Sequence, residues 1–211
     1  MFSLFKKAPA FKSTDKVWKT NDHALRGLAT DALKAITSEE IPVVLSFFDE
    51  SKNRVMSYFA AKDAPCFDLK SETLANTTHQ QKVIFCANAF ECASLLTNSS
   101  LYKKKIRFLF ESHYPLTAPE QHVLEELHTL TGASSFTFYL SIDGPLMKVF
   151  DSGNLIPLME KLGLKDDECI EHNMVSRSVL RAREKINETT PHEIRAASEK
   201  EWYDRNITKS R

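Results

Sequence analysis

The chain has 211 residues, with 28 basic and 28 acidic side chains, a formal net charge of zero and only 5 glycines. An average soluble protein carries roughly 7% glycine, about 15 in a chain of this length. The five stand at 27, 132, 144, 153 and 163 and form no G-x-G and no Gly-Lys pair, which excludes the dinucleotide fingerprint and the phosphate-cradling P-loop, while the neutral charge argues against a strong nonspecific nucleic-acid binder.

The N-terminal run places Phe2, Leu4 and Phe5 ahead of Lys6 and Lys7. A secretory signal needs about 7–15 apolar residues after its basic region. Here the run is too short and the order is reversed, so residues 1–13 read as a flexible segment, a strap over the domain or a weak anchor. No apolar run approaches the roughly 20 residues of a membrane span, and a cytoplasmic location is expected.

Thr20, Asn21 and Asp22 offer N-caps, and Leu25, Leu28, Ala29, Ala32, Leu33 and Ile36 follow at helical spacing. Ile41 to Phe48 is a continuous apolar run, the pattern of a strand buried on both faces. Ser51 is read as the cap of a helix carrying Val55, Met56 and Phe59. Pro65 to Leu69 and Lys82 to Ala87 are further strands, with the polar stretch Asp63 to Gln81 holding a loop. Asn88, with Glu91 three residues on, opens a helix to about Leu96. Ile106 to Phe110 is a fourth strand. Thr117-Ala-Pro-Glu120 is a second capping box, ahead of a Val123, Leu124, Leu127, Leu130 stripe. Ser135 to Ser141 is a fifth strand. Then come a short helix at Leu155 to Leu162 and a longer one capped by Asn173, with Met174, Val175, Val179, Ala182 and Ile186 on one face, ended by Pro191. A charged tail holds Trp202 and Tyr203.

Strands that alternate with helices and are apolar on both faces imply a parallel sheet covered by helices. The expectation is an α/β, RecA-like three-layer domain with a mostly parallel sheet of about five strands over residues 14–165. A helical extension and charged tail occupy 166–211.

In open parallel sheets ligands bind beyond the carboxyl ends of the strands. The polar residues there include Asn88, Glu111, His113 and Asp143, the candidates for a nucleotide or substrate site. Simple helix capping is the competing reading of Asn88 and Ser51. His122 and His128 are six apart and fall on different helix faces, so they make no metal pair. Cys66, Cys86, Cys92 and Cys169 match no C-x-x-C spacing; Cys66 and Cys86 lie in apolar stretches and read as buried free thiols. No metal and no cofactor is expected. Arg177, Arg181 and Lys185 recur every four residues beside the apolar seam of the long C-terminal helix. They form a solvated face, or a docking edge for an acidic partner or nucleic acid. Trp202 and Tyr203 are the aromatic candidates for contact with a partner, and a homo-oligomer stays open.

The stretch 134–186 resembles a known family. Ser134-Ser135-Phe136-Thr137-Phe138-Tyr139-Leu140-Ser141, then Leu146-Met147 and Phe150-Asp151-Ser152, is similar to the end of the second nucleotide-binding domain of SecA, the motor ATPase of preprotein translocation. Met159, Leu162-Gly163, Ile170-Glu171-His172, Met174-Val175-Ser176-Arg177-Ser178, Ala182 and Lys185-Ile186 continue the likeness into the family's helical scaffold. More loosely, Lys19 to Ile36 followed by Ile41-Pro42-Val43-Val44-Leu45 resembles the helix and strand that open that domain, Lys82 to Asn88 stands where the family has its Val-Thr-Ile-Ala-Thr-Asn strand, and Glu111-Ser112-His113 stands near its Glu-Arg-His.

The departures bear on function. Where the family has an arginine- and glycine-rich loop that reaches the nucleotide phosphates, Pro119 to Thr131 contains neither Arg nor Gly and carries three Glu. Exchanging phosphate-facing cations for carboxylates turns attraction into repulsion of similar size. The family's glycine-rich turn is replaced by Ala89-Phe90-Glu91-Cys92, and no stretch resembles the first motor domain with its P-loop. The resemblance therefore implies a stand-alone, degenerate ATPase-like domain without catalytic residues, acting as a protein-binding or assembly module linked to translocation. The alternative is a nucleotide sensor or enzyme with a rebuilt site at the strand ends.

Overall fold

The computed structural model describes residues 10–71, 83–99, 101, 103–149, 159, 163, 165 and 167–207. The N-terminal Phe2, Leu4 and Phe5, the Phe150-Asp151-Ser152 motif, residues 72–82 of the polar stretch and, apart from residue 159, the helix expected at 155–162 lie outside the described residues. Six parallel strands run β1 (Lys12–Trp18), β2 (Ile41–Ser46), β3 (Cys66–Asp68), β4 (Ile84–Asn88), β5 (Ile106–Phe110) and β6 (Ser135–Ser141), in the order β1-β6-β5-β2-β4-β3. The helices are α1 (Asn21–Thr37), α2 (Asp49–Ala60), α3 (Ala89–Thr97), α4 (Thr117–Thr131), α5 (Pro145–Val149), α6 (Asn173–Thr189) and α7 (Glu199–Asn206).

The sheet has one strand more than the five expected. The addition, β1, is an edge strand beside β6, and its sequence Lys-Ser-Thr-Asp-Lys-Val-Trp is mostly polar. An edge strand needs no apolar run, because one side of it meets solvent. Lys16 and Trp18 lie on one face of the sheet and Asp15 and Val17 on the other, as strand alternation requires. Val17 also exchanges backbone hydrogen bonds with Ile170 in an isolated antiparallel bridge, which ties the segment before α6 to this edge.

The central strands explain the three layers. Val43, Leu45, Phe85, Ala87, Phe108, Phe110, Phe136 and Phe138 enter one core, while Val44, Ile84, Cys86, Leu109 and Tyr139 enter the other. α1 and α2 cover the second face; α3, α4, α6 and α7 cover the first. Steps rightward along the sheet thus use one face and steps leftward the other, as right-handed crossovers demand. On the first face Phe110 and Phe138 stack with ring centroids 4.7 Å apart and Phe136 packs edge-on to Phe110. Each such side chain, fully buried, stabilises the fold by roughly 1.5–3 kcal/mol. Val175, Val179 and Ile186 of α6 and Trp202 and Tyr203 of α7 bury into this same core.

Several helix starts differ from the local reading. Thr20 caps α1 as expected, accepting from the His23 amide, and Asn88 caps α3 by accepting from Phe90. α2 begins at Asp49 with Phe48 at the cap position, and Ser51 is buried in its first turn. The Thr117–Glu120 capping box does not form, because Glu120 turns inward to other partners. His172, one residue earlier than Asn173, caps α6 through its ring nitrogen.

Candidate functional site

The connection from β2 leaves toward β4 and β3, and that from β5 leaves toward β6, so the carboxyl ends of β2 and β5 part at a switch point. That is where ligands enter open parallel sheets. A cleft of about 280 Å³ opens there, lined by Ser51 and Arg54 of α2, Glu111 and Ser112 after β5, Ser141 at the end of β6, Asp143 and Gly144 before α5, and Glu199 and Lys200 of α7.

Its electrostatics are dominated by carboxyl groups. Glu111 is buried and pairs with the Arg54 guanidinium. Burial pushes the Glu111 carboxyl up from its ordinary range, with Arg54 pulling the other way. Glu199 is pushed up to about 8, first by burial and then by the charge of Glu111. One of its carboxyl oxygens, Oε1, is shut off from solvent and has no hydrogen-bond partner. A helix N-terminus can hold an anion, but α2 and α7 at the cleft already carry acids in their first turns, Asp49 and Glu50 on the one and Glu199 and Glu201 on the other, and α3 carries Glu91; the short α5 carries none.

Next to the cleft lies a second polar assembly, closed to solvent. The His113 ring has Asp15 Oδ1 3.0 Å from Nε2 and Glu120 3.0 Å from Nδ1. Arg183 of α6 donates to Glu120 at 2.9 Å and to the Tyr114 carbonyl at 2.9 Å. The Tyr114 amide donates to Glu120, and the imidazole lies flat on Phe138 at 3.9 Å between centroids. All four side chains are buried. Burial favours their neutral forms, but the mutual charges outweigh it. The Glu120 charge and the Asp15 hydrogen bond raise His113, and His113 and Arg183 lower Asp15 and Glu120. With His113 protonated, two cations balance two anions, which makes burial of all four tolerable.

The structure distributes the expected site residues unevenly. Glu111 and Asp143 line the cleft. His113 does not; it is locked between Asp15 and Glu120. Asn88 caps α3 and donates to Asp49 at 3.1 Å. Arg177, Arg181 and Lys185 are exposed along α6. Trp202 and Tyr203, expected to meet a partner, point into the core instead. Trp202 is fully buried, and its indole N–H donates to Glu193 at 2.7 Å, whose carboxylate also accepts from the Tyr114 hydroxyl. Cys86 and Cys92 are buried thiols; Cys66 is half-buried, with its sulfur 3.0 Å from that of Cys86. Among the described residues no group of three His, Cys, Asp or Glu could hold a metal ion, and no helix is long and apolar enough to cross a membrane.

Local reading missed Arg54, Glu199, Asp15, Glu120 and Arg183. Two of these left a signal. Glu120 stands three, four and seven residues before Val123, Leu124 and Leu127, on the apolar stripe itself. Arg183 stands between Val179 and Ile186 on the seam of α6. A charge at a stripe position implies a buried partner.

Fold and site together define an all-parallel, three-layer α/β domain with a carboxyl-rich cleft at its switch point and a neutralised charge network beside it. Part of the chain is related to SecA. It is 44% identical over 52 residues to Protein translocase subunit SecA 1 of Alkaliphilus metalliredigens, which is 25% of this chain and 6% of that protein. It is 51% identical over 49 residues to Protein translocase subunit SecA of Acidithiobacillus ferrooxidans, 23% of this chain and 5% of that protein. The match to SecA of Parabacteroides distasonis is 46% over 54 residues, 26% and 5% of the two chains. The chain thus spans only about a twentieth of the length of these curated relatives. Among solved structures, the C-terminal part of the Fun30 ATPase domain aligns with a TM-score of 0.42 at 10% identity, covering 77% of this chain and 54% of that one. No family model matches the chain.

Proposed function

We propose that this chain is a non-hydrolysing relative of the SecA motor domain, working in the cytoplasm as a protein-binding or assembly module linked to protein translocation. The observation that supports it most is the sign of the cleft. Hydrolysis of a nucleoside triphosphate relies on cations and backbone amides arrayed around the phosphates. Here the described lining holds Glu50, Glu111 and Asp143, with Glu199 protonated up to about pH 8, against Arg54 and Lys200, and Arg54 is already engaged by Glu111. The acids on the first turns of α2, α3 and α7 fill the helix ends an anion would otherwise use. Relatedness of fold does not carry activity with it, and this lining is unsuited to phosphate.

The exposed stripe Arg177, Arg181 and Lys185 is the surface we assign to an acidic protein partner. Reversing all three charges should abolish capture of translocase subunits while the domain stays folded. Unchanged capture would remove the stripe from the account.

A second reading, a nucleotide sensor or enzyme with a rebuilt site, is favoured by one observation: the cleft stands at the switch point, and Glu111 and Asp143 line it. Thermal-shift measurements with ATP and ADP discriminate the two. A ligand that binds the native state raises its melting temperature saturably; the assembly reading expects no shift.

A further inference from the structure

Two of the four cysteines meet at one edge of the sheet. β3 is the outer strand there, three residues long, and pairs with β4 in the register Cys66↔Ile84, Phe67↔Phe85 and Asp68↔Cys86. Cys66 and Cys86 are therefore offset by two positions on neighbouring strands, and strand alternation puts both on the second face, in the core of Val55 and Phe59. Their sulfurs are 3.0 Å apart across 20 residues of chain. Packing alone explains a buried cysteine as a small hydrophobe; it gives no reason for two sulfurs to face each other. We propose that Cys66 and Cys86 are a modification site, a thiol pair that closes reversibly into a disulfide by exchange with a small-molecule disulfide and so staples β3 to β4.

Geometry and exposure both fit. A disulfide bond is about 2.0 Å long, so the sulfurs must approach by about 1 Å. β3 is free to make that movement, because only one side of it is hydrogen-bonded into the sheet. Exposure divides the roles. Cys66 is half-buried and within reach of a reagent, whereas Cys86 is buried. The contact with Cys66, and then burial, push the Cys86 thiol up, so Cys86 keeps its proton until it is called on. The Lys52–Asp68 ion pair, 2.7 Å long, flanks the sulfurs with one charge of each sign. The other two cysteines are placed elsewhere: Cys92 is buried in the first core, and Cys169 lies toward the opposite edge, near Tyr139 and Lys16.

The exchange balances in two steps. The Cys66 thiolate attacks one sulfur of the small disulfide, whose S–S bond breaks, and one thiolate leaves with the bonding electrons. The Cys86 sulfur then attacks Sγ of Cys66, the mixed disulfide breaks, and the second thiolate leaves and takes up the Cys86 proton. The two cysteines lose two electrons and two protons, and the small disulfide is reduced to two thiols. Excess reduced thiol runs the same steps backward. This chemistry is independent of ATP hydrolysis and of any partner.

The test treats the folded, reduced full chain with glutathione disulfide, blocks remaining thiols with iodoacetamide, and maps the peptides by mass. Cleavage after Lys62, Lys70, Lys82 and Glu91 puts Cys66 and Cys86 on separate peptides, apart from Cys92. Before oxidation, Cys66 should be alkylated and Cys86 protected. After it, the chain should lose the mass of two hydrogens with no glutathione retained, the 66 and 86 peptides should be linked, and reduced glutathione should restore both thiols. The oxidised chain should melt about 4–16 °C higher, since the bond closes a long loop. Cys66→Ala, at the half-buried position, should abolish the linkage. Thiols that stay free, a mixed disulfide that persists on Cys66, a bond to Cys92 or Cys169, linkage that forms only in urea, or an unchanged melting temperature would overturn the assignment. Should Cys66→Ala fail to fold, the peptide map of the unaltered chain decides.

Discussion

Asp15, on the edge strand β1, and His113, after β5, are 98 residues apart in the chain and 3.0 Å apart in space. Their contact belongs to a closed set of four charges that fastens the edge of the sheet to α4 and, through Arg183, to α6. Removing one member strands the others away from water. Breaking a buried pair in this way costs about 3–5 kcal/mol. Arg183→Met and His113→Asn should each lose stability on that scale in urea denaturation, and the double variant should lose clearly less than the sum, because the two share Glu120.

The same network shapes the acid and alkaline limits. Asp15 and Glu120 are held below their ordinary values, so their contribution is present above about pH 4.5 and is lost as pH falls through their folded values. His113 is raised, so its contribution is full below about 6.5 and is lost as pH rises through its folded value. Glu199 is also raised, to about 8, and acts in the same direction as His113. Stability should therefore be greatest near pH 4.5 and fall as pH rises, through Glu199 between about 4.5 and 8 and through His113 above about 6.5, by at most about 1.4 kcal/mol per pH unit for each proton involved. Glu199→Gln should flatten the alkaline side of the profile of melting temperature against pH. A profile still rising at pH 9 would contradict the placement of these groups.

Gly27 sits in the middle of α1, where glycine ordinarily costs a helix roughly 0.5–1 kcal/mol relative to alanine. A Cβ added there would meet the Trp18 indole at 2.2 Å. Trp18 lies stacked on Tyr139, whose hydroxyl donates to Asp31, and so cannot retreat freely. Gly27→Ala should therefore destabilise by about 1–3 kcal/mol through overpacking, the reverse of what helix propensity alone gives. Thermal denaturation of the single variant checks it.

Trp202→Ala should cost about 3–5 kcal/mol, because the side chain fills the core and donates to Glu193. Any loss of partner capture on that substitution would follow from unfolding. Arg177→Glu, Arg181→Glu and Lys185→Glu, all exposed, should each leave stability within about 0.5 kcal/mol. Paired measurements of folding and capture separate the two surfaces.

Much of the sheet is legible from residue pattern, for a physical reason. β5 and β6 are apolar on both faces, so Ile106–Phe110 and Ser135–Ser141 stand out with the bounds the structure shows. β1 does not stand out, because its polar residues are satisfied from a distance: Lys16 by Asp31 of α1, Asp15 by His113. Glu120 reads locally as half of a capping box, yet its partners lie in other elements. Trp202 and Tyr203 sit among charges in a short helix, and only the packing of α7 onto the first core reveals them as interior. The cleft was legible in part. Glu111 and Asp143 follow apolar strands directly, whereas Glu199 and Arg54 reach it through the docking of helices that no local pattern announces.

We propose that this partly SecA-related chain does not hydrolyse ATP. The most direct test is phosphate release by the purified chain at saturating magnesium-ATP, with Glu111→Gln in parallel. The expected result is no turnover above the buffer rate for either protein. Steady turnover by the unaltered chain, lost in Glu111→Gln while that variant stays folded, would contradict it.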